Sequence, residues 1–220
     1  MIEYKFRSEI ERVNSFGLQY SDTTIKNEPM FFNSSFDYAM ENGGEITRAF
    51  LNALPLDWKS DVVFDSRVHM LMKDWYPCIP GWHHDDVPRS KSPHNQPDYD
   101  NLEYKSEHIL GLINAEVCPT LFAIGDCVMP KVNLDTEIVY QVWDEKVKTL
   151  LSMESLICVP AISNLLYKFD YQTFHCGTKA LKNGWRWFGR ISRNTNRVKN
   201  ITNEIRANAQ VYLEIPNKGW

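Results

Sequence analysis

The sequence has no apolar run that approaches the roughly 20 residues needed to cross a bilayer as a helix. Its first residues, Met1 to Lys5, also lack the apolar stretch of a secretory signal peptide. These two absences argue against a membrane-spanning or secreted class of protein. We therefore expect a soluble, cytoplasmic protein with no membrane partner.

Cysteine is scarce and scattered. The chain has five cysteines, an odd number, and no C-x-x-C pair. A disulfide scaffold needs paired cysteines, and a zinc knuckle needs closely spaced ones. The cysteines are therefore predicted to be reduced thiols, mostly in the core.

An overall excess of positive charge is missing as well, since the formal net charge is -4. Non-specific affinity for nucleic acid or for an anionic membrane depends on clustered positive charge. The composition therefore gives no overall attraction for nucleic acid, which is not the expected partner, although bulk charge does not itself name a partner. The basic segment 179–206 leaves nucleic-acid binding open as an alternative.

What the sequence does have is enough apolar content for a core. With 220 residues, 43% of them hydrophobic, a single domain over residues 1–220 is expected. Apolar spacing predicts helices over 45–54, ended by Pro55, and over 140–156. The first third otherwise reads as a helical flank, and a core of about 62–192 reads as short strands typical of a barrel or sandwich.

The fold class predicted from these patterns is mainly β with flanking helices. The strands are predicted at residues 62–64, 67–73, 108–115, 120–124, 165–169, 171–176 and 185–192, with a last edge strand at 210–215. Residues 87–104 are rich in proline and poor in aliphatic side chains. A loop of this length in a compact domain is commonly functional, so we predict a lid there.

Histidine and aspartate alternate in G-W-H-H-D-D, residues 81–86. Residues i and i+2 of a strand point the same way, so a His-x-Asp pair aims an imidazole and a carboxylate at one metal ion. Two registers satisfy this rule: His83 with Asp85, and His84 with Asp86. The local pattern leaves both open.

A facial-triad iron site needs a second histidine from a distant part of the chain. Only His94, His108 and His175 lie downstream of the His-x-Asp pairs. His94 lies in the proline-rich loop, and His108 begins a predicted strand shortly after that loop. His175 lies in an extended segment just before the last predicted hairpin, which makes it the candidate third ligand.

Two arginines lie four residues apart in the strand predicted at 185–192. Alternation places Arg186, Phe188, Arg190 and Ser192 on one face and the tryptophans on the other. Two arginines inside a small barrel are costly unless an anion lies between them. The segment therefore predicts an anion site, or else an outward, solvated arginine face with the tryptophans in the core.

Together, G-W-H-H-D-D, C-P-T-L-F-A-I-G-D and F-H-C-G-T-K-A-L-K-N-G-W-R-W-F-G-R-I-S resemble the iron(II)/2-oxoglutarate-dependent dioxygenase superfamily, over about residues 62–192. The resemblance implies a double-stranded β-helix, which is a jelly-roll barrel like that of cupins. It also implies iron(II) bound by His83, Asp85 and His175, because a Gly-aromatic pair precedes the first ligand in that superfamily.

The resemblance further implies a basic residue that binds the distal carboxylate of 2-oxoglutarate. The spacing from His175 to Arg186 is similar to that in taurine-dioxygenase-like and phytanoyl-hydroxylase-like members, where a second arginine, here Arg190, can reach the substrate. Arg190 and Ser192 also resemble the R-x-S pair that holds the oxo-acid in another branch. We favour Arg186 for the oxo-acid, with Arg190 as second choice, and Thr120 resembles a threonine that assists it.

The function implied is that of a dioxygenase that hydroxylates a small molecule or amino acid, using dioxygen and releasing succinate and carbon dioxide. Asp85 fills the site that a halide would need, so hydroxylation is expected and halogenation is not. One alternative is a cupin-like metal enzyme that uses no oxo-acid. Another is a non-catalytic binding protein, with nucleic acid as a possible ligand.

Overall fold

The computed structural model describes residues 3–17, 19–91, 94–197, 205–206 and 208–213. Its strands are β1 (Glu3–Ser8), β2 (Glu11–Ser15), β3 (Val63–Leu71), β4 (Glu107–Ile113), β5 (Thr120–Pro130), β6 (Ile157–Pro160), β7 (Leu165–Asp170), β8 (Phe174–Gly177) and β9 (Gly184–Arg193). Its helices are α1 (Asp22–Lys26), α2 (Phe36–Asn42), α3 (Glu45–Asn52) and α4 (Val139–Ser152), with a 3-10 turn at Leu56–Trp58.

The strands form two antiparallel sheets. The larger sheet has the order β2-β7-β4-β9-β3, so β9 lies between β4 and β3. In the smaller sheet the long strand β5 pairs with β1 along residues 125–130 and with β6 and β8 along residues 120–124. Gly125 lies where β5 changes partners and has a φ of 136°, a conformation that L side chains rarely adopt.

Three apolar clusters hold these layers together. One lies between helices α1 to α3 and the larger sheet, and it contains Phe50, Phe64 and Trp187. A second lies between α4 and the smaller sheet around Trp143. A third contains residues from both sheets, among them Leu110 of β4 and Phe122 of β5. The third cluster shows that the sheets face each other. The first two show that the helices cover the outer faces of the sheets.

Helix α3 shows how the local sequence produces this arrangement. Ile46, Phe50 and Leu51 form an apolar stripe that is fully buried against the larger sheet. The carboxylate of Glu28 accepts hydrogen bonds from the first-turn amides of Ile46 (3.3 Å) and Thr47 (2.8 Å), which otherwise have no partner within the helix. The helix ends at Asn52, shortly before Pro55, as the sequence predicts.

The β-rich part of the fold prediction is confirmed. The described strands form two separate sheets, and no closed barrel is found among them. Residues 62–64 and 67–73, predicted as two strands, belong mainly to the single strand β3, and the strand predicted from residue 171 begins only at Phe174. No helix of the described residues is both long and apolar enough to span a membrane.

Two predictions for the ends of the chain need correction. The N-terminal third is not only a helical flank, because β1 and β2 each join one of the two sheets before the first helix begins. Of the edge strand predicted at 210–215, residues 214 and 215 lie outside the described part. The rest contributes an isolated bridge between Tyr212 and Tyr76.

The packing of α3 on the larger sheet yields a stability prediction. Phe50 is fully buried, and its ring centroid lies 5.6 Å from that of Trp187. Phe50→Ala should lower the free energy of unfolding by about 3 to 5 kcal/mol, because it removes buried apolar surface and leaves a cavity. Denaturant titration followed by tryptophan fluorescence measures this change.

The matched control is Leu56→Ala, since the Leu56 side chain is 85% exposed. Its effect should stay within about 0.5 kcal/mol. Equal losses for both variants would contradict the assignment of Phe50 to the core.

Candidate functional site

Two distant segments bring His83, Asp85 and His175 together. The backbones of His83 and His175 exchange two hydrogen bonds of 3.1 Å, and their ring centroids lie 4.6 Å apart. One Asp85 oxygen lies 3.0 Å from His175 Nε2, and the other lies 3.8 Å from His83 Nε2. One ligand atom from each of the three residues lies within 4.8 Å of the others, a spacing that suits a single metal ion.

The hydrogen bonds of the two imidazoles define which nitrogen faces the site. His83 Nδ1 lies 2.8 Å from the carbonyl of Gly81, and His175 Nδ1 lies 3.0 Å from the carbonyl of Thr173. A carbonyl only accepts, so each Nδ1 carries a proton and donates. Each Nε2 is then the nitrogen that offers a lone pair towards the site, which is the usual arrangement of metal-bound histidine.

The electrostatics of the three residues also fit a cation. Burial and the neighbouring His175 lower the pKa of His83 to about 3, so this ring is neutral near pH 7 and keeps its lone pair. Burial opposes ionisation of Asp85, but Arg190 and His175 outweigh burial and hold the pKa of Asp85 well below its usual range. The His175 lone pair and an Asp85 oxygen, two acceptors 3.0 Å apart, need a shared proton or a cation between them.

The alternative register of ligands does not converge on this site. His84 turns into an aromatic cluster, where its ring lies 3.9 Å from the ring of Phe174 and its Nδ1 lies 2.6 Å from the hydroxyl of Tyr99. Asp86 instead lies 3.6 Å from Arg197. The structure therefore brings together His83 and Asp85, not His84 and Asp86.

Residues 81–86 do not form the strand that the His-x-Asp argument assumed. The only regular pairing in this segment is the isolated bridge between His83 and His175. The segment is held in place by two further contacts: the Trp82 amide donates to Asp144 (2.8 Å), and the Ser106 hydroxyl donates to the Asp85 carbonyl (3.2 Å). His83 and Asp85 nevertheless point to the same side of the chain, and His84 points away from it.

A cavity of about 440 Å³ adjoins the three residues. Arg186, Phe188 and Arg190 of β9 line it from one side, whereas Trp187 and Ile191 pack on the opposite face of the strand against the helices. The alternation predicted for this strand is therefore present, with the arginines facing the interior.

Arg186 is a buried cation, only 2% exposed. Its Nη2 donates to the Thr120 hydroxyl at 3.1 Å, and its Nε has no hydrogen-bond partner within the described part of the chain. Burial lowers the pKa of the Arg186 guanidinium. No carboxylate of the described residues forms an ion pair with Arg186.

Arg190 has a different environment. It forms an ion pair with Asp85 and lies 4.0 Å from Asp65. Burial alone would lower the pKa of Arg190, but the neighbouring carboxylates of Asp85, Asp86 and Asp65 outweigh burial and raise it. The positive charge of Arg190 is thus already balanced within the protein.

Ser192 is not brought to the cavity. Its hydroxyl bonds Nδ1 of His108 at 2.8 Å, and Nε2 of His108 contacts the hydroxyl of Ser106 at 3.1 Å. Both Ser192 and His108 are fully buried. His108 therefore belongs to a hydrogen-bonded network behind the Asp85 backbone, and the R-x-S role suggested for Ser192 has no support from its contacts.

The described part of the proline-rich segment contacts helix α4. None of its described residues, 87–91 and 94–104, lines the cavity. Gln96 instead accepts a hydrogen bond from the first amide of α4 (3.0 Å), and the Tyr99 hydroxyl contacts that of Tyr140 (3.0 Å). These contacts attach the segment to α4, so the predicted lid function has no support from them.

The cavity contains residues that the sequence analysis did not identify. Asp65, Arg67 and His69 line it from β3, and Arg206 lines it from the C-terminal segment. Asp65, Arg67 and His69 occupy alternate positions in an otherwise largely apolar β3, and this spacing could have identified them. The position of Arg206 could not be inferred, because nothing in its local sequence specifies which strand it approaches.

The comparisons with known proteins give limited information. A scan against protein-family models and a search of curated proteins both found no match. Among solved structures, the chain is similar to EvdO2 from Micromonospora carbonacea var. aurantiaca, whose crystal structure is a complex with 2-oxoglutarate. The TM-score is 0.35 at 12% identity, and the match covers 66% of this chain and 57% of EvdO2. A score this low does not establish a shared fold.

The geometry of the three candidate ligands yields a metal-binding prediction. His175→Ala should weaken binding of a divalent metal ion by more than about 100-fold, since even residues that only orient metal ligands typically contribute 10- to 100-fold. Equilibrium dialysis with iron(II) under anaerobic conditions measures the affinity. His83→Ala and Asp85→Ala should behave in the same way.

His94→Ala is the matched control, because His94 is exposed and lies outside the cavity. Wild-type affinity is expected for it, and metal-binding competence is also expected for His84→Ala and Asp86→Asn. If His84→Ala and Asp86→Asn lose the metal while His83→Ala and Asp85→Ala retain it, the ligands are His84 and Asp86.

Proposed function

We propose that this protein is a non-haem iron(II) oxygenase that uses 2-oxoglutarate and dioxygen to hydroxylate a small molecule or an amino acid. One observation carries the proposal. A cluster of two histidines and one carboxylate shares a cavity with the buried guanidinium of Arg186, which has no carboxylate counterion among the described residues.

The donor set fits a non-haem iron(II) site. Two imidazoles and one carboxylate that leave coordination positions open are the signature of non-haem iron(II) oxygenases. A structural zinc site would instead be closed by four protein ligands, and the cluster found among the described residues has three. His83, Asp85 and His175 would hold the iron.

The environment of Arg186 favours an oxo-acid that carries a second carboxylate. An unpaired buried charge is destabilising by several kcal/mol, so such a guanidinium is retained where a ligand completes its pairing. The planar guanidinium can bind a carboxylate through two parallel hydrogen bonds. Thr120, which contacts Arg186, has a hydroxyl on the same side of the cavity and would share the carboxylate.

In this reaction the bound iron and 2-oxoglutarate supply the oxidation of a C–H bond by dioxygen, coupled to release of succinate and carbon dioxide. The protein's own residues bind and orient. The carbonyls of Gly81 and Thr173 keep the proton of each histidine on Nδ1, which leaves Nε2 for the metal. Arg190 balances the charge of Asp85, and Arg186 with Thr120 fixes the far end of the oxo-acid.

The described arginines of the basic segment 179–206 do not favour the nucleic-acid alternative. Within its described part, Arg186 and Arg190 face the cavity, Arg193 pairs with Glu107, and Arg197 pairs with Asp65. These arginines are therefore directed at the interior or at carboxylates, and they do not form an exposed basic patch.

The two arginines of β9 provide the test of the proposal. Arg186→Gln keeps hydrogen-bonding capacity but loses the charge and the planar fork, so it should cost on the order of 2 to 4 kcal/mol of oxo-acid binding. That corresponds to roughly 30-fold to nearly 1000-fold weaker binding. The measurement is an anaerobic titration of 2-oxoglutarate into the iron(II) protein, followed by the weak visible charge-transfer band of the chelate.

Arg190→Gln is the matched variant on the same face of the same strand. Because Arg190 is already paired with Asp85, its replacement should change 2-oxoglutarate affinity far less than Arg186→Gln does. It should mainly weaken oxidation of the substrate coupled to 2-oxoglutarate turnover. A strong effect of Arg190→Gln with none of Arg186→Gln would reverse the two roles. A wild-type protein that binds iron(II) but shows no band with 2-oxoglutarate would favour the cupin-like alternative, which uses no oxo-acid.

A further inference from the structure

The cavity carries more positive charge than the proposed cofactors require. Five arginines and two carboxylates line it, which leaves an excess of three positive charges. Asp86, which lies 3.6 Å from Arg197, reduces the excess by one. Iron(II) and 2-oxoglutarate have charges of equal size and opposite sign, so binding both leaves the excess unchanged.

Most of the arginines already have a carboxylate partner. Asp65 is 4% exposed and is surrounded by Arg197, Arg206 (3.5 Å) and Arg190 (4.0 Å). These arginines outweigh burial and lower the pKa of Asp65, so it is a charged partner for all of them. They are consequently held by the protein itself.

Arg67 has no such partner. It lines the cavity from β3 and is partly buried, yet no ion pair or hydrogen bond of its side chain is found among the described residues. Arg186 is the other cavity arginine without a carboxylate, and the proposed oxo-acid accounts for it. Arg67 is therefore the arginine whose charge remains unexplained.

The register of the sheet places Arg67 next to Arg186 on the face of the sheet that lines the cavity. Three cross-strand pairs of β3 and β9 line the cavity: Asp65 with Arg190, Arg67 with Phe188, and His69 with Arg186. Arg67 thus lies between the level of Arg186 and the level of Arg190, the residue that contacts Asp85. A molecule bound at Arg67 would therefore lie beside the oxo-acid.

His69 is a second unsatisfied group at the same place. It is 2% exposed and lines the cavity. Neither ring nitrogen makes a hydrogen bond of normal geometry with a described residue, although the backbone of Gln210 lies near enough to favour the protonated form. Burial, together with the charges of Arg186 and Arg67, lowers the pKa of His69 to about 3, so the ring is neutral and offers one donor and one acceptor.

The C-terminal segment completes the wall around these residues. Asn208 and Gln210 line the cavity, and the backbones of Tyr212 and Tyr76 exchange hydrogen bonds of 2.9 and 2.8 Å that attach the segment to the domain. The side chains of Asn208 and Gln210 are exposed and add neutral polar groups to this wall. A buried polar group without a partner is costly, so the unsatisfied ring of His69 beside Arg67 indicates a polar ligand.

We propose that the substrate of this protein is a small organic molecule that carries an oxyanion, such as a carboxylate or a phosphate, and that Arg67 binds this oxyanion beside His69. The inference rests on the proposed function, since Arg186 is assigned there to 2-oxoglutarate. Its own basis is the unpaired charge of Arg67, the unsatisfied nitrogens of His69 and the excess of positive charge around them.

The test uses anions with the iron(II) protein under anaerobic conditions and saturating 2-oxoglutarate, so that Arg186 is occupied. Phenylacetate and phenylacetamide form a probe pair of equal shape and different charge, chosen because Phe188 lies beside Arg67. Inorganic phosphate is the third probe. Calorimetry should show binding of phenylacetate or phosphate, and binding of phenylacetamide weaker by at least about tenfold.

Arg67→Gln should weaken binding of the anions by at least about tenfold and leave the 2-oxoglutarate band in place, which also shows that the variant is folded. Arg12→Gln is the matched control, because Arg12 is exposed on β2 and lies outside the cavity. It should bind the anions as the wild type does.

Four results would overturn the inference: equal binding of the acid and the amide, no binding of either anion, wild-type binding by Arg67→Gln, or anion binding that disappears as 2-oxoglutarate is raised. The last would place the anion at Arg186. Absence of the visible band in the wild-type protein would instead contradict the proposed function, so the two failures are distinguishable.

Discussion

The two-faced strand β9 is the constraint on which the rest of the structure depends. Trp187 and Ile191 are fully buried beneath the helices, and strand alternation then directs Arg186, Phe188 and Arg190 into the space between the sheets. A one-residue slip of register would place tryptophans in the cavity and arginines in the apolar cluster. Burial of the aromatic face therefore stabilises the position of the cationic face.

The charges inside the cavity then divide into balanced and unbalanced groups. Asp65 and Asp85 pair with Arg190, Arg197 and Arg206, and these pairs join strands β3 and β9 to the C-terminal segment. Buried pairs of this kind contribute modestly to stability because desolvation offsets the attraction. Within the cavity they leave Arg186 and Arg67 as the arginines without a carboxylate partner among the described residues.

Much of the fold and of the candidate site was predictable because the signals are local. The apolar stripe of α3, the alternation in β9 and the spacing of His83 and Asp85 each depend on the geometry of one short segment. The contacts of the proline-rich segment were not predictable, because they are not local. Proline and polar residues indicate that residues 87–104 form a loop, but they do not indicate that Gln96 and Tyr99 attach it to α4.

The sequence by itself determined which side chains share a face of a strand. That alternation placed Arg186 and Arg190 on one face and offered two possible ligand pairs, His83 with Asp85 or His84 with Asp86. Only the tertiary structure decided which faces meet. The bridge between His83 and His175, the burial of Ser192 against His108, and the approach of Arg206 to Asp65 all join segments far apart in the chain. Such contacts depend on sheet order and on the summed burial of many residues, which no short window of sequence contains.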